Sequence, residues 1–500
     1  MHDDQENVSE QESGISRRTF VKGAATAAAF SIVPRHVLGG TGFVAPSDRL
    51  RLACIGVGAQ GTRVMMDFMK EADVQVVAVC DVNRQSSDYS EWGTNELRDK
   101  ARKLLDKPDW GNTFNGTGAT CGRDPAKNIV ETYYGNKQAS GKYNGCATYS
   151  DFRELLAKEK DIDAVTVCTP DHWHAPIAIA AMKLKKNVYC QKPMTHSVAE
   201  ARQMAEVARE TKVATQVAVV NSASEATRQI TEWIAAGAIG PVRTVENWST
   251  RPFWPQGLER PATADSVPDG FDWNLWLGPA AERPFNRIYL PFVWRGWYDF
   301  GCGALGDMGQ YSFDTIFRAL KLGPPTRVES SSTKRFEESY PVATIVHFDF
   351  PARQGMPPVR INWYDADLTP PRPEGLPDDQ PMGFEREGLL FVGDHGSILC
   401  KFEGGDPQLL PASKMAAFQP PPKTLPRSPG HYREFIDACK GGPKPDANFE
   451  FESEVAETIL LGNVSVRTGE VVHWDSPSLK VTSSATAQAL IAPSYRGNWV

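Results

Sequence analysis

Three side chains have the types and positions needed to move a proton. Lys192 ends the apolar run "KNVYCQK" just before Pro193, and Asp307 and Tyr311 lie four residues apart in "GALGDMGQYSFD". That spacing places Asp307 and Tyr311 on one face of a helix. A lysine at a strand end can serve as general acid or base when neighbouring charge lowers its pKa. A phenol, whose ordinary pKa is about 10, is a poor base at neutral pH. An adjacent ammonium lowers that value, and a carboxylate can fix the ring's orientation. Lys192, Asp307 and Tyr311 are therefore the candidate catalytic set, and the chemistry they suit is proton transfer at a hydroxyl.

The elements that must position this set begin with "LRLACIGVGAQGTRVMMDFMK". A strand pattern from Leu50 to Ile55 runs into Gly56-x-Gly58-x-x-Gly61 and then a helical pattern. A second apolar strand, "VQVVAVCD", ends at Asp81, twenty residues after Gly61. Gly56 permits the tight turn, Gly58 lets backbone approach a pyrophosphate, and Gly61 lets helix and strand pack closely. The helix N-terminus, with Ala59 and Gln60, attracts phosphate charge, and Asp81 can bond a ribose hydroxyl. In this setting the three glycines mark a Rossmann dinucleotide site. Asp81 would repel a 2′-phosphate and favours NAD; Arg84, close behind it, leaves NADP open.

Two further strands, "IDAVTVCTP" and "KNVYCQKP", bring Thr169, Pro170, Gln191 and Lys192 to the carboxyl edge of a parallel sheet, where such folds bind ligands. His172 and His174 follow in the first of these turns and are expected to line the cofactor. They lie two apart with no third ligand evident, so no metal site is expected. The stretch at about 84–145 departs from a simple βαβ unit. "SSDYSEWGTNELRDKARKLL" and "DPAKNIVETYYGNK" read as helices and "DWGNTFNGTGATCG" as loop. This insertion is expected to carry specificity or contacts to a neighbouring subunit.

The 500-residue chain suffices for two or three domains. With 41% hydrophobic residues, 23% charged and a net charge of -7, it reads as a globular protein without the basic excess that nucleic-acid binding requires. The nine cysteines are scattered without a CxxC pair, and only Cys121 and Cys146, in a polar segment, suggest a disulfide. Near the start, "SRRTFVKGAATAAAFSIV" pairs Arg17 with Arg18 ahead of an alanine-rich run too short to span a bilayer. It reads as a twin-arginine export signal, an address rather than an anchor, and implies a periplasmic or otherwise exported protein. No other segment reads as a membrane span.

The glycine motif, "CTPDHWH", "QKP" and "GCGALGDMGQYSFD", in that order, resemble the Gfo/Idh/MocA family of NAD(P)-dependent sugar and polyol dehydrogenases. The resemblance covers about residues 51–475. It implies an α/β plus α+β architecture: an N-terminal Rossmann domain, then a domain with a large open, mainly antiparallel sheet for substrate binding and subunit pairing, hence a homo-oligomer. Independently, "VRTVENWST", "TRVESSSTKRF", "VATIVHFDF", "VRINWYD" and "GLLFVGDHGSILCKF" read as strands, with "GDHG" a hairpin turn. Late helices near His431–Lys440 and Phe451–Arg467 are expected to return to the first domain. The chain is divided into a signal and linker (1–45), the Rossmann domain with its insertion (46–215), the open-sheet domain (216–475) and a tail (476–500). For "SYRGNW" in the tail, an arm across a neighbouring subunit and an ordinary tail both stand open.

By position, the resemblance assigns Lys192 to the family's E-K-P lysine near the nicotinamide, and Asp307 to its conserved-motif acid. Two residues depart from the pattern: Gln191 replaces a glutamate, and Tyr311 stands where the dehydrogenases usually carry a histidine. The expected function is NAD(P)-dependent oxidation of a secondary hydroxyl of a sugar, polyol or sugar derivative. An NAD-retaining glycosidase working by oxidation and elimination, and a non-catalytic sugar- or NAD-binding homologue, are the alternatives. Tryptophans and arginines crowd "ENWSTRPFWPQGLERP", "FDWNLWLGPAAERPFN" and "WRGWYDF", where aromatic faces can stack on sugar rings or fill an irregular core.

Overall fold

The computed structural model describes residues 45–113, 118–497 and 499; the twin-arginine stretch with Arg17 and Arg18 lies outside them. The strands of the first half are β1 (Leu50–Ile55), β2 (Val74–Cys80), β3 (Ser86–Tyr89), β4 (Ala119–Cys121), β5 (Ala147–Tyr149), β6 (Ala164–Val167), β7 (Asn187–Cys190) and β8 (Thr215–Val217). Six of them form a wholly parallel sheet in the order β5-β2-β1-β6-β7-β8. Helices cover such a sheet on both faces, so its strands must be apolar throughout, as "VQVVAVC" and "AVTV" are. The chain order reverses between β2 and β6, on either side of β1. That switch point opens a crevice at the carboxyl ends of β1 and β6.

The insertion differs from its expected form. Ser86–Tyr89 is not the start of a helix but a strand, β3, paired antiparallel with β4. Its Ser and Asp residues carry no apolar alternation, so only the distant partner fixes its conformation. The helix Arg123–Gly135 is the crossover into β5 and buries Ile129 and Val130. What is inserted is therefore the β3–β4 ribbon and the helix Glu96–Leu105.

The second half builds β9 (Val242–Trp248), β10 (Arg327–Ser332), β11 (Thr344–Phe350), β12 (Val359–Tyr364), β13 (Gly388–Gly393), β14 (Gly396–Cys400), β15 (Gln408–Leu410), β16 (Val472–Asp475) and β17 (Lys480–Val481). They lie in one nine-stranded sheet, β15-β14-β13-β9-β12-β11-β10-β16-β17, antiparallel except for the β9–β12 pair. Asp394 and His395 form the predicted hairpin turn between β13 and β14. The far face is partly covered by the chain itself, because Leu376 and Met382 pack on Trp248, Leu390, Leu399 and Leu410.

The helix Gly303–Leu320 lies on the near face, with Phe313 and Phe317 set edge-on to Phe348 and Phe350 of β11. Each such buried phenylalanine contributes about 1.5–3 kcal/mol relative to an exposed one. Nearly every residue of this helix is buried, which fixes the rotation that aims Asp307 and Tyr311. The helix Phe449–Thr468 packs against it and against Val198–Thr211 of the first domain. Phe435 and Ile436 of the helix His431–Cys439 join the core under β1 and β2. Leu50–Val500 thus folds as one unit. In the tail, Arg496 donates to the Gly278 carbonyl at 3.0 Å and to Asn274 at 2.9 Å, and Tyr495 reaches Glu200.

Candidate active site

A single cleft of about 1060 Å³ runs from the glycine-rich turn to the helix Gly303–Leu320. At its first end Gly56 has φ +80°, and a Cβ there would meet the Cys168 carbonyl at 2.6 Å. A Cβ on Gly61 would lie 1.8 Å from the Gly56 oxygen. Only glycine permits this turn and this helix–strand approach. No side chain caps the helix Ala59–Met69, leaving its first amides available to an anion. Gly58 has a neighbour that the motif does not foretell, since a Cβ would touch the Tyr89 ring at 2.9 Å. The inserted ribbon therefore closes over the turn.

Asp81 follows β2 directly and lines the cleft. Its carboxylate accepts the Val57 and Asn83 amides, both at 2.8 Å. Burial raises its pKa to about 6 against those bonds and the Arg123 charge. Each oxygen keeps a lone pair, which suits a ribose diol. The glycine cradle, the uncapped helix and Asp81 together fit a dinucleotide. Ala59, Gln60, Thr169, Pro170, Gln191 and Lys192 also line the cleft.

Three predicted cofactor residues do not. Arg84 points outward and pairs with Asp124 at 2.8 Å, its side chain 68% exposed. His172 and His174 are buried as cross-braces. The ring nitrogens of His172 lie 3.3 and 3.0 Å from the carbonyl oxygens of Phe300 and Trp276. Those of His174 lie 2.7 and 3.0 Å from the carbonyls of Pro193 and Thr169. Burial depresses His172 to about 3 and His174 to about 4. They tie the strand-end turn to the second domain and to the Lys192 turn. Among the described residues no His, Cys, Asp or Glu cluster is placed to hold a metal, and no helix is long and apolar enough to cross a membrane. Cys121 and Cys146 are both free thiols, not a disulfide.

The fold does bring Lys192, Asp307 and Tyr311 together. The Lys192 ammonium donates to the Asp307 carbonyl at 2.6 Å and to its carboxylate at 3.0 Å. It also lies 4.8 Å from the centre of the Tyr311 ring. Arg295, which was not singled out in the sequence, donates to the same Asp307 oxygen at 3.1 Å and stacks on Phe292 and Trp294. Burial works against both ions of this network. Lys192 and Arg295 nevertheless hold the Asp307 carboxyl below its ordinary value, and Asp307 and Tyr311 hold Lys192 above its own.

Tyr311 departs from expectation. Burial raises its phenol, and the lowering by Lys192 does not overcome burial together with Asp307 and Glu403. Its hydroxyl has no hydrogen-bond partner among the described residues and is a neutral donor at neutral pH. Two carboxyls unforeseen as site residues also line the cleft, Asp171 and Glu403. Asp171 follows Pro170 at a strand end, a position the sequence itself marks. Glu403 gave no signal, because nothing local marks a glutamate after β14.

The fold and cleft define a two-domain dinucleotide-binding protein whose second domain completes the site. Residues 122–219 match the Gfo/Idh/MocA model described as an oxidoreductase-family, NAD-binding Rossmann fold, and residues 229–342 match that family's C-terminal alpha/beta domain. Both matches are to that one family, the first to its NAD-binding Rossmann part and the second to its C-terminal part. It is 28% identical over 214 residues to a glycosyl hydrolase family 109 protein of Shewanella baltica, covering 40% of this chain and 38% of that one. It is 36% identical over 174 residues to D-xylose 1-dehydrogenase (NADP(+)) of Hypocrea jecorina, covering 35% and 37%. These matches thus span well under half of the relatives' own length. The WlbA dehydrogenase of Bordetella pertussis, solved with NADH and UDP-GlcNAcA, superposes with a TM-score of 0.52 over 85% of this chain and 99% of that one. At 16% identity this shows the shared fold.

Proposed function

We propose that the protein is an NAD-dependent dehydrogenase oxidising a secondary hydroxyl of a sugar, polyol or sugar derivative. The observation that carries the reading is the Lys192–Asp307–Arg295 network, with the unpaired Tyr311 hydroxyl beside it, in the same cleft as the dinucleotide cradle. NAD, when bound, supplies the hydride acceptor. The chain's residues do the rest. Asp307 keeps Lys192 cationic, and that ammonium stabilises negative charge developing on the substrate oxygen. Tyr311 donates a second hydrogen bond. Trp254, Phe292 and Trp294 offer apolar faces to a sugar ring. Asp81, with Arg84 turned away, favours NAD over NADP.

Export by the twin-arginine route is part of this proposal and rests on the Arg17–Arg18 pattern. Self-association is proposed through the uncovered part of the large sheet, where Arg327, Asp349 and Arg360 form a charged ladder across β10–β12. A second reading, an NAD-retaining glycosidase, draws on Asp171 and Glu403, two cleft carboxyls without a salt-bridge partner among the described residues. Purified protein incubated with NAD and a panel of free sugars and aryl glycosides separates these readings. Net NADH from a free sugar supports the dehydrogenase, and aglycone release without net NADH supports the glycosidase. Neither product leaves a binding protein.

A further inference from the structure

We propose that Asp171 is the group that accepts the proton of the hydroxyl being oxidised; this assignment rests on the dehydrogenase reading above. The two groups that the sequence offers for the task are in the wrong state. Lys192 is held as an ammonium by two bonds to Asp307, and an ammonium has no lone pair to accept with. Tyr311 is a neutral phenol. Asp307 is ionised, but Lys192 and Arg295 share its Oδ1 and weaken it as a base.

Asp171 has the geometry that these three lack. It sits just past the carboxyl end of β6, only 2% exposed, and lines the cleft. Its Oδ2 accepts the Cys302 amide at 3.0 Å, which fixes the carboxylate. Beyond that amide, the Cys302 thiol is the one side chain that hydrogen-bonds the carboxylate among the described residues, and the Asp171 Oδ1 is not one of the sealed, unsatisfied buried atoms. A fixed carboxylate thus keeps an oxygen open to the cleft, with no cation among the described residues at ion-pair distance to neutralise it. Arg295, Asp307 and Lys192 are the charged groups facing it, and Cys302, Cys190 and Tyr340 are the neutral titratable ones. Burial lifts its pKa to about 7 against the pull of Arg295 and Lys192. A general base is most effective when its pKa lies near the working pH.

The step balances within the site. The substrate O–H bond breaks and its proton goes to Asp171. The O–H electron pair becomes the new C=O bond as the C–H hydrogen leaves as hydride to the oxidised dinucleotide. Asp171 then returns its proton to water.

The test is Asp171→Asn in the full chain, since asparagine can still accept from the Cys302 amide. Expected is a fall in kcat/KM of about 10²–10³-fold and loss of the acid limb of its pH profile, with NAD affinity kept within about twofold. Independently of activity, infrared titration of the substrate-free wild type should show a carboxyl ionising near pH 7 that is missing in the variant. Several outcomes overturn the assignment: unchanged turnover in the variant, a slower rate with the pH profile unaltered in shape, or no such carboxyl in the infrared titration. A wild type that reduces no dinucleotide with any sugar overturns the dehydrogenase reading, and the assignment with it. A wild type that turns over alongside an equally active variant overturns the assignment alone.

Discussion

Replacing Asp307 by Asn removes one negative charge from a site where two cations depend on it. The Lys192 bond to the Asp307 backbone carbonyl, at 2.6 Å, survives the change, so the position of the lysine is kept and its charge partner is lost. Lys192 and Arg295 lie 3.0 and 3.1 Å from the carboxylate, with side chains only 12% and 17% exposed. At an effective dielectric constant of about 20, charges this close attract by about 5–6 kcal/mol. Desolvation of both partners offsets part of that, and breaking a buried pair from one side costs about 3–5 kcal/mol net. Asp307→Asn should therefore destabilise the protein by about 3–5 kcal/mol. Adding Lys192→Met should recover part of the loss, giving a coupling energy of about 2–3 kcal/mol for residues that share one network. The assay is equilibrium urea unfolding of the four proteins of the cycle, followed by tryptophan fluorescence. A coupling below about 0.5 kcal/mol would refute the claim that Asp307 holds Lys192 as a cation.

Tyr311→Phe removes a hydrogen-bond donor from the reacting oxygen and should lower turnover by about 10²-fold, with NAD affinity unchanged by fluorescence titration. Asp81→Ala should weaken NAD binding by about tenfold, the loss of about 1.4 kcal/mol of hydrogen bonding to a charged group, whereas Arg84→Ala should leave both NAD and NADP affinities unaltered. In the core, Glu452 lies beside Asp314, and burial and that neighbour raise its pKa well above the ordinary value. A raised carboxyl contributes stability fully present below its unfolded pKa and lost as pH rises through the folded one. Glu452→Gln should therefore be more stable than wild type at pH 8, with its stability falling less steeply above about pH 4.5, by up to about 1.4 kcal/mol per pH unit, in denaturant melts across pH.

What could be read from the sequence was whatever short-range chemistry dictates. The turn at Gly56 is legible because only glycine adopts φ +80° beside the Cys168 carbonyl. Asp307 and Tyr311 are legible as a pair because helical spacing is local, β11 because its apolar alternation is strong, and β13 and β14 because their apolar runs are continuous. Most of the misreadings involve partners distant in sequence. Ser86–Tyr89 becomes a strand because Ala119–Cys121 pairs with it. His172 looked like a cleft residue at a strand end, but carbonyls more than one hundred residues away claim its ring nitrogens. Lysine beside tyrosine suggested a lowered phenol, yet burial depends on the whole site and reverses the sign. Arg295 and Glu403 reach the cleft through loops whose paths no local pattern fixes.

The central claim is that this cleft removes hydride from a sugar carbon. The most direct measurement uses the best sugar of the panel carrying deuterium at the oxidised carbon, with mass spectrometry of the dinucleotide after reaction. Direct hydride transfer gives one deuterium in the reduced dinucleotide for each ketone formed. Reduced dinucleotide without deuterium, or ketone formed with none of the label transferred, would contradict it.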